Sequence, residues 1–202
     1  MKLYEIDRSG NCYKVRLMLS LLGLSYDKHP VDLSKREQME PWFLAINPLH
    51  TVPVLDDGGL IVRDSQAILV YLAAKYGKGA WYPAEPASLA EMQQWLAYAN
   101  NEVLHNLAYT RAIVFGLRAG DLAKGQAAAK DVLAHIDRAL AGRQWLATGK
   151  PTVADVAIYP YVAMIPQADV PLKPYASLCA WVARIEALPG YAGLPKPPPK
   201  PV

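Results

Sequence analysis

Three short stretches of this chain carry side chains whose types and order could hold a small peptide and activate a sulfur on it. The first, Arg8-Ser9-Gly10-Asn11-Cys12, lies where a strand-like run gives way to a helix-like one. A serine hydroxyl at such a turn can donate a hydrogen bond to a bound sulfur, and the adjacent helix start adds positive potential; both favour thiolate over thiol. Asn11 supplies a second donor. A thiol of ordinary pKa is only a few per cent ionised at neutral pH, so a downward shift of about two units, roughly 2.7 kcal/mol, captures most of the available gain. The nucleophile is then the ligand's sulfur. Cys12 is the rival: it follows Ser9 at the spacing of a C-x-x-C motif whose first Cys has become Ser, and it reads equally as a resolving thiol or an inert core one. Ser9 and Asn11 also read as plain helix caps.

The second stretch is Val52-Pro53-Val54, a proline inside an apolar, β-prone run. It cannot give a ladder hydrogen bond, so it belongs at an edge or a turn. A cis Val52-Pro53 bond would turn the N–H and C=O of Val52 outward, ready to pair with an extended ligand as an added strand. The third is Asp64-Ser65, in front of the periodic run Ala67, Ile68, Val70, Tyr71, Leu72. A helix start offers free N–H groups and the positive end of its dipole to a carboxylate, and Ser65 adds a hydroxyl. Singly, Pro53 reads as a loop former and Ser65 as a cap. In this order they describe a backbone clamp beside a carboxylate cradle, suited to a short acidic peptide.

The elements that must position these stretches follow from periodicity. Leu3 to Ile6 reads as a strand, Asn11 to Leu22 as a helix ended by Gly23, and Tyr26 to Val31 as a second strand, together a parallel β-α-β unit. Lys35 to Ile46 is a short irregular helix carrying Pro41, and a hairpin at Asp57-Gly58 and the helix after Asp64 complete βαβ-αββα, the order of a thioredoxin-like domain, here residues 1–77. Residues 78–87, with two prolines, read as a linker, and residues 88–193 as an all-α domain, opened by a capping box at Ser88 and Glu91. Its helices are expected over Leu89 to about Phe115, Asp121 to Leu140, Val153 to about Met164 and Tyr175 to Leu188. Thr152 and Asp155 form a second capping box with a structural role, and residues 194–202 are a proline-rich tail expected to be extended and solvated.

Bulk composition narrows the function classes. With 52% apolar and 19% charged residues in 202, the chain can build an ordinary core. A net charge of +3 with scattered Lys and Arg gives no nucleic-acid footprint. Met1 leads straight into a polar, strand-like run, so neither a signal peptide nor a membrane span is expected and the cytoplasm is the expected compartment. The two cysteines, Cys12 and Cys179, have no metal-ligand spacing, so no metal is expected.

The run V-P-V-L followed by D-S-Q-A-I-L resembles the glutathione site of the glutathione transferases, and the resemblance extends over nearly the whole chain. It implies that glutathione is a co-substrate, that Val52 before Pro53 pairs with its cysteinyl backbone, and that Asp64 and Ser65 hold its γ-glutamyl end. Asp64 stands where Glu is commoner in the family, a shorter reach. Serine-type transferases of the theta, delta and zeta classes place their activating Ser where Ser9 stands, and S-x-N is also similar to the T-x-N motif of the nu class, whose members lean toward disulfide reduction. Gln38, in a nu-like S-K-R-E-Q-M-E-P-W-F-L-A-I-N-P, and His50, in a delta-like N-P-L-H-T-V-P, are implied to hold the glycyl end. Tyr4 falls too early for the catalytic loop and reads as packed.

A small hydrophobic electrophile is expected against the helical domain, where Asn101, His105, Tyr109 and Ile113, with Tyr98, recur on one side of the first long helix. A stripe at that spacing also serves a core or an interface. Arg111 is a further candidate for glutathione or an anionic substrate. The resemblance implies a homodimer, with Trp81, Met92 and Tyr98 as interface residues. The expected activity is conjugation of the glutathione thiolate to an electrophile. Glutathione-dependent disulfide or peroxide reduction and a non-catalytic glutathione-binding module are the alternatives, and a zeta-like isomerase fits less well because Gly10 and Asn11 depart from that pattern.

Overall fold

A computed structural model describes residues 1–199; the last three residues of the expected tail lie outside the described residues. Strand β1 (Lys2–Glu5) leads through the Asp7-Arg8-Ser9 loop into helix α1 (Gly10–Leu21), and β2 (Asp27–Pro30) returns parallel to β1, with Leu3 opposite Lys28. Two 3-10 turns, Leu33–Lys35 and Glu37–Met39, and a short α2 (Pro41–Ile46) then bring the chain to β3 (Val54–Asp57) and β4 (Leu60–Arg63). Gly58 and Gly59 make the hairpin turn with φ of 66° and 95°, angles that residues with a β-carbon rarely adopt. The sheet order is β2-β1-β3-β4, with β3 antiparallel to both neighbours. Helix α3 (Ser65–Tyr76) follows β4 directly, and this four-stranded mixed sheet with its helices is the expected thioredoxin-like arrangement.

The rest of the chain is helical: α4 (Pro86–Tyr98), α5 (Tyr109–Val114), α6 (Leu122–Leu140), α7 (Val153–Met164) and α8 (Ala176–Glu186). Helix α7 is the spine of this part, with every residue but Ala163 buried. Its start is held by Thr152 and Asp155 in the expected capping box. The Asp155 carboxylate also accepts from the Leu146 N–H at 3.0 Å and from the Trp181 indole at 2.9 Å, so one side chain ties the α6–α7 loop and α8 to the helix start. Pro160 sits inside α7.

Four expectations need correction. The first long helix is not one α-helix: residues Ala99–Ala108 form a π-helical segment between α4 and α5, so a 3.6-residue stripe does not carry across it. Its start is not a Ser88–Glu91 capping box. Glu85 caps α4, accepting from the N–H groups of Ala87 at 2.9 Å and Ser88 at 2.7 Å, with Pro86 at the first helical position, where a missing N–H costs nothing. Glu91 pairs with Arg143 instead. Met92, expected at an interface, is fully buried in the chain's own core, because its helix turns that side inward. The tail is not wholly solvated: Leu194 packs against the core and Pro195 is half-buried. The segment just before it lies along α1, with the Gly190 carbonyl accepting from Ser20 at 2.7 Å and that of Ala192 from Tyr13.

Candidate functional site

Ser9 is the N-cap of α1, in extended backbone conformation, and its hydroxyl oxygen accepts the Cys12 N–H at 3.3 Å. Capping uses the oxygen's lone pair, so the hydroxyl can still donate, either to the Cys12 sulfur beside it or to a bound sulfur, and the cap and the sulfur-activating role coexist in one group. Asn11 is half-buried, and its side-chain oxygen is buried without a partner among the described residues. Its backbone N–H meets the Tyr161 hydroxyl on α7. Cys12 is fully buried; its sulfur accepts the Ile6 N–H at 3.5 Å, and burial pushes its thiol up to about 11. Such a thiol is protonated at neutral pH and closed to solvent, which separates it from a redox cysteine.

The loop is fixed from below by a charge pair that the sequence reading missed. Glu5 is buried at the end of β1, its carboxyl raised by desolvation and pulled back by Arg16 of α1, with which it pairs. Arg16 also donates to the Asp7 carbonyl at 2.7 Å, so the strand end, the loop and the helix move as one piece. A glutamate inside a short strand was the visible signal. Tyr4, on the same strand, is half-buried with His29 and Trp42 at ring distances of 4.8 and 6.1 Å, packed as expected.

The Val52-Pro53 bond is cis. Ile6 at the end of β1 and Val52 pack into one small cluster with Val31, Phe43 and Val54, which sets the turn beside the start of the Ser9 loop. Among the described residues, Val52 makes no backbone hydrogen bond in this turn, so its N–H and carbonyl remain available. Asn47 is the staple of the turn. Fully buried, it donates to the Thr51 carbonyl at 2.7 Å and accepts the Leu49 N–H at 3.1 Å. The Asn-Pro dipeptide, a turn signal, could have found it. His50 stands exposed at φ 55°, and Gln38 is half-buried on its 3-10 turn with an unpartnered side-chain oxygen.

At the start of α3, Asp64 rather than Ser65 is the cap: its carboxylate accepts from the N–H groups of Gln66 at 2.9 Å and Ala67 at 3.1 Å, at φ 71°. Capping therefore does not explain Ser65, which is 3% exposed and donates to the Gln66 amide oxygen at 2.6 Å. The Gln66 amide nitrogen has no partner among the described residues. With the amide turned over, Gln66 donates to Ser65 instead and the Ser65 proton is released to a carboxylate. A cavity of about 320 Å³ opens here, between Asp64, Gln66 and Ala67 on one wall and Gln93, Leu96 and Asn100 on the other.

The residues expected to face an electrophile do not form one stripe. Asn101 and His105 are exposed on the π segment, with the His105 ring nitrogen 2.7 Å from the Asn101 carbonyl. Tyr109 and Ile113 are half-buried on α5, Tyr109 against His105 and beneath the Arg118 guanidinium, 3.8 Å from its ring centre. Tyr98 turns away to stack on His135 of α6 at 4.9 Å, in a cleft of about 620 Å³ with Trp95 and Arg138. That cleft exceeds the one at Asp64 in volume, but none of the candidate catalytic or peptide-binding residues lines it. Arg111 is buried and donates to Gln167 at 2.7 Å, and one guanidinium nitrogen has no partner among the described residues. Among the described residues no three potential metal ligands gather, and no helix is long and apolar enough to cross a membrane.

Two family models match the chain: glutathione S-transferase, N-terminal domain, over residues 3–81, and glutathione S-transferase, C-terminal domain, over residues 77–189. Glutathione S-transferase D7 of Anopheles gambiae is 30% identical over 185 residues, covering 90% of this chain and 84% of its own. Among solved structures, a possible glutathione S-transferase from Rhodopseudomonas palustris is 32% identical with a TM-score of 0.85 and covers 98% of both chains. A glutathione transferase homolog from Drosophila mojavensis, solved with bound glutathione, is 30% identical with a TM-score of 0.84, covering 93% of this chain and 88% of its own.

Proposed function

The chain belongs to the glutathione S-transferase family, and from that footing we propose which of its residues carry the reaction and what they act on. It is a glutathione transferase, an enzyme with glutathione as co-substrate. In the proposed site, the cysteinyl backbone of glutathione lies along Val52 in front of Pro53. Its γ-glutamyl end sits at Asp64, Ser65 and the start of α3, and its glycyl end reaches toward Gln38 and His50. The Ser9 hydroxyl donates to the sulfur, with Asn11 beside it, and the thiolate attacks a small hydrophobic electrophile held near Tyr109 and Ile113, with Asn101 and His105 at the rim. The observation that carries this reading is the pairing of an N-cap hydroxyl at Ser9, whose oxygen accepts the Cys12 N–H, with a Val52 backbone that makes no hydrogen bond among the described residues.

Cys12, buried and protonated, is unsuited to a mixed disulfide, which argues against a reduction routed through a protein thiol. The proposed division of the chain is a glutathione-binding domain over 1–77, a linker over 78–87, a helical domain over 88–193 and a tail after it. The two family models, which overlap over residues 77–81, support it. A homodimer in the cytoplasm is the proposed state; the unbridged cysteines suit a reducing compartment. Steady-state turnover of glutathione with a chloronitroaromatic, a hydroperoxide and hydroxyethyl disulfide tests the reaction type. Faster turnover with the chloronitroaromatic is expected. Turnover confined to the disulfide would replace conjugation by reduction, and none with any of the three would refute the reading.

A further inference from the structure

The first turns of α1 hide a cation that this chemistry does not use. Lys14 is 1% exposed, and among the described residues no carboxylate lies within ion-pair distance of its ammonium. Its ammonium lies over the face of the Tyr161 ring, 5.2 Å from nitrogen to ring centre. An unpaired ammonium in such a place is costly to keep charged, and it relieves the cost by giving up its proton. Burial draws Lys14 down to about 7, with Asp64 the charge acting against the fall.

Its position ties it to the candidate site on two sides. Lys14 lies one turn along α1 from Gly10 and Asn11, so the three share a helix face. Tyr161 closes over that face: a β-carbon on Gly10 would lie 2.5 Å from its ring, and its hydroxyl meets the Asn11 N–H. Helices α1, α3 and α7 pack on one another around this point, with Asp64 at the start of α3. At the starts of α1 and α3, the side-chain oxygen of Asn11 and the amide nitrogen of Gln66 are both buried without partners among the described residues.

We propose that Lys14 is the buried countercharge of the bound glutathione anion, gaining its proton as the peptide settles over the first turn of α1 and the start of α3. This rests on the glutathione reading above. Lys14 acts through space and is a positioning residue, not one that touches the thiol. The groups beside it are Asp64 from α3 and Tyr161 from α7, and beyond Tyr161 lie Cys12 of α1 and Arg111 of α5, both of which act on the Tyr161 phenol. Burial holds the Tyr161 phenol and the Cys12 thiol protonated, and an arginine keeps its charge, so Lys14 is the member of this set that changes charge near neutrality. Glutathione brings two carboxylates against one ammonium, and the thiolate adds a further negative charge. Each stabilises the charged form of Lys14, and by reciprocity a charged Lys14 stabilises the thiolate.

Calorimetry tests this with glutathione methylated at sulfur, a ligand with no thiol proton to lose, in buffers of different ionisation enthalpy. For a bound pKa near 9, the wild type should take up about 0.7 proton per site at pH 7.5, and its affinity should fall about fivefold between pH 7 and 8. Lys14→Met should bind without that uptake and with a flat profile. Lys14→Arg, charged throughout, should bind without uptake and keep the low-pH affinity. In lysine-labelled wild type, which needs no variant, NMR should show one lysine titrating near 7 in the free protein and losing that step on saturation. Equal uptake in the wild type and either variant, or no such lysine, overturns the role of Lys14. Absence of wild-type binding overturns the glutathione reading itself.

Discussion

Replacing Ser9 by Ala removes two things that the structure lets one weigh separately. The first is the cap: the bond from the Cys12 N–H is long, 3.3 Å, and only one of the helix's free N–H groups depends on it. Its loss should cost about 0.5–1 kcal/mol of stability, visible as a small fall in Tm. The second is the donor to the bound sulfur. If that bond and the start of α1 hold the thiol about two units below its ordinary 8.5, the bound thiol is about three-quarters ionised at pH 7; losing one to two units leaves between about 3 and 25%. The conjugation rate at pH 7 should therefore drop about 3- to 25-fold, while at pH above 9.5 the variant and wild type converge, because both thiols are then ionised. The sign is that of a depressed acid: the fold advantage is full below both pKa values, shrinks as pH rises between them and vanishes above both. Ultraviolet absorbance of the thiolate in the binary complex gives the pKa directly, and the pH profile of the rate gives it kinetically. Ser9→Thr, which keeps a hydroxyl, should restore most of the shift. An unchanged thiolate pKa in Ser9→Ala would refute the assignment, and a loss of rate equal at every pH would show that Ser9 acts only by shaping the loop.

Other outcomes follow from the same geometry. Ser65→Ala should weaken glutathione binding by about 1–3 kcal/mol with little change in Tm, since Asp64 and not Ser65 caps α3; unchanged affinity by calorimetry would remove Ser65 from the site. Asp155→Ala should cost about 3–5 kcal/mol in denaturant unfolding, because it strands the Leu146 N–H, the Thr152 N–H and the Trp181 indole in the interior; a loss under 1 kcal/mol would mean those donors find other partners. A thiol alkylating agent at pH 7.5 should spare Cys12 in the native protein and modify it only after unfolding, as mass spectrometry of peptides would show; native modification of Cys12 would reopen its redox role.

Local chemistry made the frame of this protein legible in its sequence. A proline in a β-prone run, Gly at the hairpin, Asp and Ser before a periodic run and the Thr152–Asp155 box each constrain backbone within a few residues. The order of the elements along the chain, the helix starts near Ser9 and at Asp64 and the capping of α7 followed from them. What escaped depends on neighbours distant in the chain. The π segment after Tyr98 breaks the α period by changing the residues per turn, which no apolar pattern announces, and so the stripe from Asn101 to Ile113 came apart. The role of Glu85 was hidden by the more familiar spacing of Ser88 and Glu91. Cys12 was undecided in the sequence because its spacing is a redox motif's; burial beneath Ile6 decided it, since desolvation sets a thiol's pKa and no sequence spacing does. Lys14 is the sharpest case. Read in sequence, a lysine on an early helix turn is an ordinary surface charge, and only the closing of α7 over α1, with Tyr161 lying where any larger residue at Gly10 would collide, removed it from water.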